Sequence, residues 1–188
     1  MSIRVISGSA KGRKLKLVPG ETTRPIMDRV KESLFNILGD WVVDSRWLDL
    51  FAGTGSVGIE ALSRGAKFCL FVDSSQTAIN TVQTNLAVTG LGDAAVVRKA
   101  DAIAMLRSNP SEAQRVEAIF IAPPQYKEIW VTALEALNDN VAWLLDEGIA
   151  IVQIDPKEFR ELDLSNLELY DKRIYGNTML CFYELSND

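Results

Sequence analysis

At 188 residues, with 47% hydrophobic and 24% charged side chains and a net charge of −5, the chain has the size and balance of one globular domain with a full core. No window approaches the roughly 20 apolar residues of a membrane span, and the opening Met1-Ser2-Ile3-Arg4-Val5 lacks the apolar core of a signal peptide, so the mature chain is expected to start there, in the cytoplasm. The absence of any histidine excludes Ser-His-Asp and Cys-His catalysis and most zinc sites, so no metal is expected.

Residues 3–7 and 14–18 read as short strands separated by the turn-prone Gly8-Ser9-Ala10-Lys11-Gly12, which makes residues 1–25 a β-hairpin arm broken by Pro19-Gly20. Residues 26–188 form the remainder of the same domain. Residues 1–31 carry eight lysines and arginines against two acids, a net +6, which leaves −11 on the rest of the chain. Such asymmetry points to a polyanionic partner, with Lys11, Arg13, Lys14, Lys16, Arg24 and Arg29 as candidate contacts. A solvated, lysine-rich hairpin explains the same charges equally well.

From Asp28 to Leu38, Val30, Leu34, Ile37 and Leu38 repeat at helical spacing, and Gly39 can end the helix. Strand-like segments follow near 46–51, 68–73, 95–99, 117–122 and 148–154, with helical segments near 57–64, 75–88, 101–107 and 127–138. Repeated βα units of this length predict an α/β, doubly wound, mostly parallel Rossmann-like sheet covered on both faces. Residues 167–175 and 178–185 flank Gly176-Asn177, a hairpin signal, so an antiparallel pair is expected at the edge. Cys69 and Cys181 fall in strand-like runs and are expected as reduced core thiols.

The chemistry gathers after the first sheet strand, in Leu48-Asp49-Leu50-Phe51-Ala52-Gly53-Thr54-Gly55-Ser56-Val57-Gly58. Three glycines at G-x-G-x-x-G spacing allow a sharp turn, a close ligand and a close helix. Alone, the pattern suits a dinucleotide as well as S-adenosylmethionine. Asp49, inside the strand, suits the ammonium end of a methionine moiety and would repel a pyrophosphate at the helix start. Asp73 ends the next strand, where it can accept hydrogen bonds from ribose hydroxyls of either cofactor. Asp101 is placed to reach an adenine amino group, although capping the following helix explains it at least as well. The candidate cofactor set is therefore Asp49, Phe51, Ala52, Gly53, Gly55, Asp73, Ser74, Asp101 and Ala102.

The fourth sheet strand ends in Ala122-Pro123-Pro124-Gln125-Tyr126, a stiff turn that presents carbonyls and an aromatic ring at the carboxyl edge, where open α/β sheets bind ligands. These five residues are the catalytic candidates.

Together these segments resemble the RsmD family, bacterial methyltransferases that act on guanine N2 in small-subunit (16S) ribosomal RNA. The resemblance runs over nearly the whole chain: Ile6-Ser7-Gly8-Ser9-Ala10-Lys11-Gly12-Arg13-Lys14-Leu15, then Arg24-Pro25-Ile26-Met27-Asp28-Arg29-Val30-Lys31-Glu32-Ser33-Leu34-Phe35-Asn36, then Leu48 to Ala66. The first two stretches are more specific than the glycine loop. The resemblance implies S-adenosylmethionine as cofactor, ribosomal RNA or a small-subunit particle as partner, and a monomer. The chain departs from the family at Ala122, where relatives carry Asp or Asn, at Gln125, which intervenes before Tyr126, and at Ile26-Met27, where relatives carry two threonines. The family's polar first residue accepts a hydrogen bond from the target amine. Here the carbonyls of Ala122 and Pro123, with Gln125, are expected to do so while Tyr126 stacks on the base. Two other readings stand beside this one: an RNA-binding assembly protein with little catalysis, motivated by Ala122, and a dinucleotide oxidoreductase, disfavoured by Asp49.

Overall fold

A computed structural model describes residues 2–20 and 25–187. After the hairpin strands β1 (Ile3–Arg4) and β2 (Lys14–Leu15), the chain forms α1 (Asp28–Leu38), β3 (Arg46–Leu50), α2 (Ser56–Ser63), β4 (Phe68–Asp73), α3 (Gln76–Thr89), β5 (Ala95–Lys99), α4 (Ala102–Arg107), β6 (Val116–Ile121), α5 (Ile129–Asp139), β7 (Leu144–Ile154), β8 (Leu167–Tyr175) and β9 (Thr178–Leu185). The seven sheet strands run in the order β5-β4-β3-β6-β7-β9-β8. The first five are parallel, and β9 pairs antiparallel with both β7 and β8. This is the doubly wound sheet with an antiparallel edge that the periodicity predicts.

The central strands are apolar on both sides because both faces are covered. One face carries Trp47, Cys69, Phe71, Ala118, Phe120 and Ile151 against α1, α2, α3 and the hairpin. The other carries Leu48, Leu70, Ile119, Ile121 and Val152 against α4 and α5. Cys69 and Cys181 are free, buried and assigned to opposite faces. Every residue of α2 is buried. A Cβ on Gly58 would lie 2.4 Å from Phe71 Cε1 and 2.6 Å from Cys69 Sγ, so only glycine lets α2 lie this close to the sheet.

Two elements differ from expectation. The hairpin strands are two residues long rather than five, because the backbone around them also bonds to α2 and α3. Ile6 and Ser7 donate their N–H groups to the Glu60 carboxylate (2.8 and 3.0 Å), and Ala10 N–H donates to Ser63 Oγ (2.9 Å). Its side chains Ile3, Val5, Ala10 and Leu15 belong to the first core cluster. Strand β7 starts at Leu144, not 148, through an irregularity in its register with β6. Glu147 there takes φ 63°, and the exposed Asp146-Glu147 pair hides the strand's first turn from an apolar pattern.

Candidate active site

The order of the strands reverses between β3 and β6, and the loops leaving β3, β4 and β6 meet at that carboxyl edge. Phe51 follows β3 with φ 58°, in the left-handed region that a bulky residue seldom occupies. Gly53 and Gly55 continue the turn at φ 55° and 74°. Ala52 N–H is held by Val72 O at 2.9 Å, and Gly53 N–H by Asp73 Oδ2 at 2.9 Å. The other oxygen of Asp73 accepts from Ser75 N–H at 2.9 Å. Each carboxylate oxygen keeps a lone pair after these bonds, so Asp73 can still accept hydroxyl donors.

Asp49 is only 2% exposed, and its Oδ2 accepts the N–H of Gly58 at 3.1 Å. Burial pushes its carboxyl up to about 8, opposed by the Gly58 N–H and reinforced by the charge of Asp73. Above the turn there is room: a Cβ on Gly53 would meet nothing nearer than Phe51 O at 3.9 Å. A buried carboxylate, a bare turn and an edge carboxylate suit a ligand with a cation at one end and hydroxyls further along. Ser74 is exposed beside Asp73. Asp101 caps α4, its Oδ1 accepting from Ala104 N–H at 2.7 Å, and Ala102 is buried in the first turn.

Sheet register continues this edge across β6. Leu50 pairs with Ile121, and Ile121 with Val152, so Ala122 stands level with Phe51 on one side and Gln153 on the other. Ala122 is half-buried, Pro123 buried, and Pro124 and Gln125 exposed. Tyr126, 65% exposed with φ 60°, is tied to the loop after β7. Its N–H donates to Glu158 Oε1 at 2.7 Å and its hydroxyl to Asp155 Oδ2 at 2.6 Å. That hydroxyl bond raises the Tyr126 phenol above its ordinary pKa and lowers the Asp155 carboxyl below its own.

Residues 3–184 match the family model described as Conserved hypothetical protein 95. YlbH of Bacillus subtilis (strain 168) is 42% identical over 97% of this chain and 98% of its own. Ribosomal RNA small subunit methyltransferase D of Escherichia coli (strain K12) is 31% identical over 97% of this chain and 89% of its own. The chain belongs to the RsmD family. The solved structure of yhhF from Escherichia coli matches it with a TM-score of 0.84 at 31% identity, covering 100% of both chains. RsmD proteins are S-adenosylmethionine-dependent rRNA methyltransferases, which closes the dinucleotide reading.

On this RsmD chain the described basic candidates lie along the hairpin and at the start of α1. Lys11, Arg13, Lys14, Lys16 and Arg29 are all exposed, and Arg24 lies outside the described residues. The hairpin tip docks on Ser63, the last residue of α2, with Ser9 N–H donating to Ser63 O at 2.8 Å. That end lies about 10 Å from the glycine turn along an eight-residue helix. Lys16 is nearer. Its backbone N–H and carbonyl bind the Asn85 side chain (2.7 and 3.0 Å), and Asn85 also donates to Thr54 O in the glycine turn at 2.9 Å.

The motifs of the sequence assign no role to Asn85, Glu60, Gln153, Asp155 or Glu158. For Asn85 and Glu60 a signal exists: each is a polar residue at a core-facing helix position, and each is fully buried here. Asp155 and Glu158 gain their meaning only from a loop pairing that no local pattern encodes.

Proposed function

We propose that this RsmD-family chain methylates the exocyclic N2 of a guanine in 16S ribosomal RNA. The observation that carries the reading is the convergence, at the strand-order reversal, of the Asp49–Gly53–Asp73 cradle with the Ala122–Tyr126 loop. Bound there, S-adenosylmethionine supplies an activated methyl group. Asp49 pairs with its ammonium end, Phe51, Ala52, Gly53 and Gly55 border it closely, and Asp73 with Ser74 receives the ribose hydroxyls. Asp101 and Ala102 lie on the adenine side, where the free oxygen of Asp101 remains available beside its capping bond. Methyl transfer needs alignment in a dry pocket more than acid–base chemistry. The Pro123-Pro124 turn fixes the loop, the carbonyls of Ala122 and Pro123 with Gln125 accept from the target amine, and the Tyr126 ring stacks on the base. Lys11, Arg13, Lys14, Lys16, Arg24 and Arg29 grip RNA phosphates.

Mass mapping of 16S ribosomal RNA from cells lacking the chain tests this directly. One guanine should lose its N2 methyl group, and purified protein should restore it to small-subunit particles. An unchanged methylation map refutes the proposal. Ala122, which offers no polar side chain, favours a second reading as a cofactor-binding assembly protein. Wild type without methyl transfer to any ribosomal particle, together with an active Ala122→Asp, would establish that alternative.

A further inference from the structure

One polar group at this edge has no part in the roles above. Gln153 follows the Ile121↔Val152 pair by one residue, which sets it beside Ala122. Alternation along β6 and β7 places both side chains on the face of Phe120 and Ile151. Asp49 and Asp73, which alternate with Leu48, Leu50 and Val72 of the opposite cluster, lie on that face too. The Oε1 of Gln153 is buried without a hydrogen-bond partner, a condition shared among the described residues only by single carboxylate oxygens of Asp28 and Glu158. A buried acceptor with no protein donor takes its hydrogen bond from water or from a ligand.

An exocyclic guanine amine is a weak nucleophile because its lone pair is delocalised into the ring. An acceptor on one of its N–H bonds favours the pyramidal nitrogen that can attack. The methyl group of Ala122 provides none. We propose that Gln153 is a further side-chain acceptor, reaching from the neighbouring strand over Ala122 to take the second N–H of the target amine while Gln125 and the loop carbonyls hold the first, an inference that rests on the guanine-N2 function proposed above. As the nitrogen lone pair forms the N–C bond, the C–S bond breaks and its electrons stay on sulfur. The cationic nitrogen then gives one proton to water. No hydrogen bond among the described residues holds the Gln153 carboxamide, and its terminal torsion is soft and two-fold, so its oxygen is free to turn towards a donor. The neutral amide orients the amine without requiring a proton-accepting base.

Single-turnover methylation of small-subunit particles from cells lacking the chain, with S-adenosylmethionine, tests the assignment. Gln153→Met keeps the length and removes the amide, and should slow transfer by about 10²-fold, the loss typical of one preorganised hydrogen-bond partner. Affinity for S-adenosylhomocysteine by calorimetry and affinity for the particle should be unchanged, and the melting temperature should not fall. Gln153→Glu retains an acceptor and should retain transfer. Ala122→Asn added to Gln153→Met should recover part of the rate by returning an acceptor to β6. An active wild type with an equally active Gln153→Met overturns this inference alone, as does a rate loss matched by lost S-adenosylhomocysteine or particle affinity. A wild type that transfers no methyl group removes the proposed function and this inference together.

Discussion

Burial keeps the Asp49 carboxyl protonated to about 8, against an ordinary 3.8. Between those values the unfolded chain has released a proton that the folded chain retains, so this group makes stability fall as pH rises through that window. Asp49→Asn removes the effect. The variant should melt higher than wild type at pH 7, with the gain shrinking as pH falls towards 4, in thermal melts across that range. An ammonium ligand requires the ionised carboxylate, so S-adenosylmethionine binding near pH 7 should release about one proton. Calorimetry in buffers of different ionisation enthalpy measures this. Equal proton release by wild type and Asp49→Asn would move the ammonium away from Asp49. At Tyr126 the ring and hydroxyl separate cleanly. Stacking worth about 1–3 kcal/mol should vanish in Tyr126→Ala, slowing methylation roughly 5- to 150-fold while cofactor affinity holds. Tyr126→Phe loses only the bond to Asp155 and should stay near wild type in the same assay.

Hairpin, α1 and α2 are joined through one carboxylate. Glu60, fully buried, accepts from Ile6, Ser7 and Arg64 (2.8 Å) and lies 3.5 Å from Lys31 Nζ. Lys31 is equally buried and donates to Arg4 O at 2.7 Å; burial lowers its pKa, against the pull of Glu60. Removing one member of such a pair strands the other, so Glu60→Gln should cost about 3–5 kcal/mol, read as a lower urea midpoint. This junction also marks the limit of what the sequence makes legible. Helix α1 is readable to the residue, because Val30 and Leu34 face the core and Gly39 closes the helix with φ 54°. So is the β8–β9 hairpin, set by Gly176-Asn177 and opposed at Tyr175↔Thr178. The N-terminal hairpin is readable as a hairpin but not in extent, since its backbone partners are side chains more than 50 residues away. The glycine turn is legible as a turn between β3 and α2, at the point where the strand order reverses. The link from Tyr126 to Asp155 and Glu158, and the neighbouring position of Gln153, depend on strand order and register, which composition and periodicity leave open.

Across the whole molecule, positive charge is drawn along the hairpin while the remainder is strongly acidic. The acidic body repels RNA elsewhere and so favours approach by the hairpin side. If Lys11, Arg13, Lys14 and Lys16 each meet a phosphate, neutralising all four should flatten the log–log salt dependence of RNA binding by about 3. Filter binding across a salt series checks this, and a wild-type slope would make the stripe a solvated surface. The hairpin is also wired to the glycine turn. Asn85, buried under both, bonds the Lys16 backbone and Thr54 O with one side chain. Where such a bridge couples two ligands, thermodynamic reciprocity requires the two affinities to change by the same factor. RNA should sharpen S-adenosylhomocysteine binding, S-adenosylhomocysteine should sharpen RNA binding equally, and Asn85→Ala should make the two events independent, as paired titrations would reveal. Such a chain would sense whether both substrates had arrived before committing either.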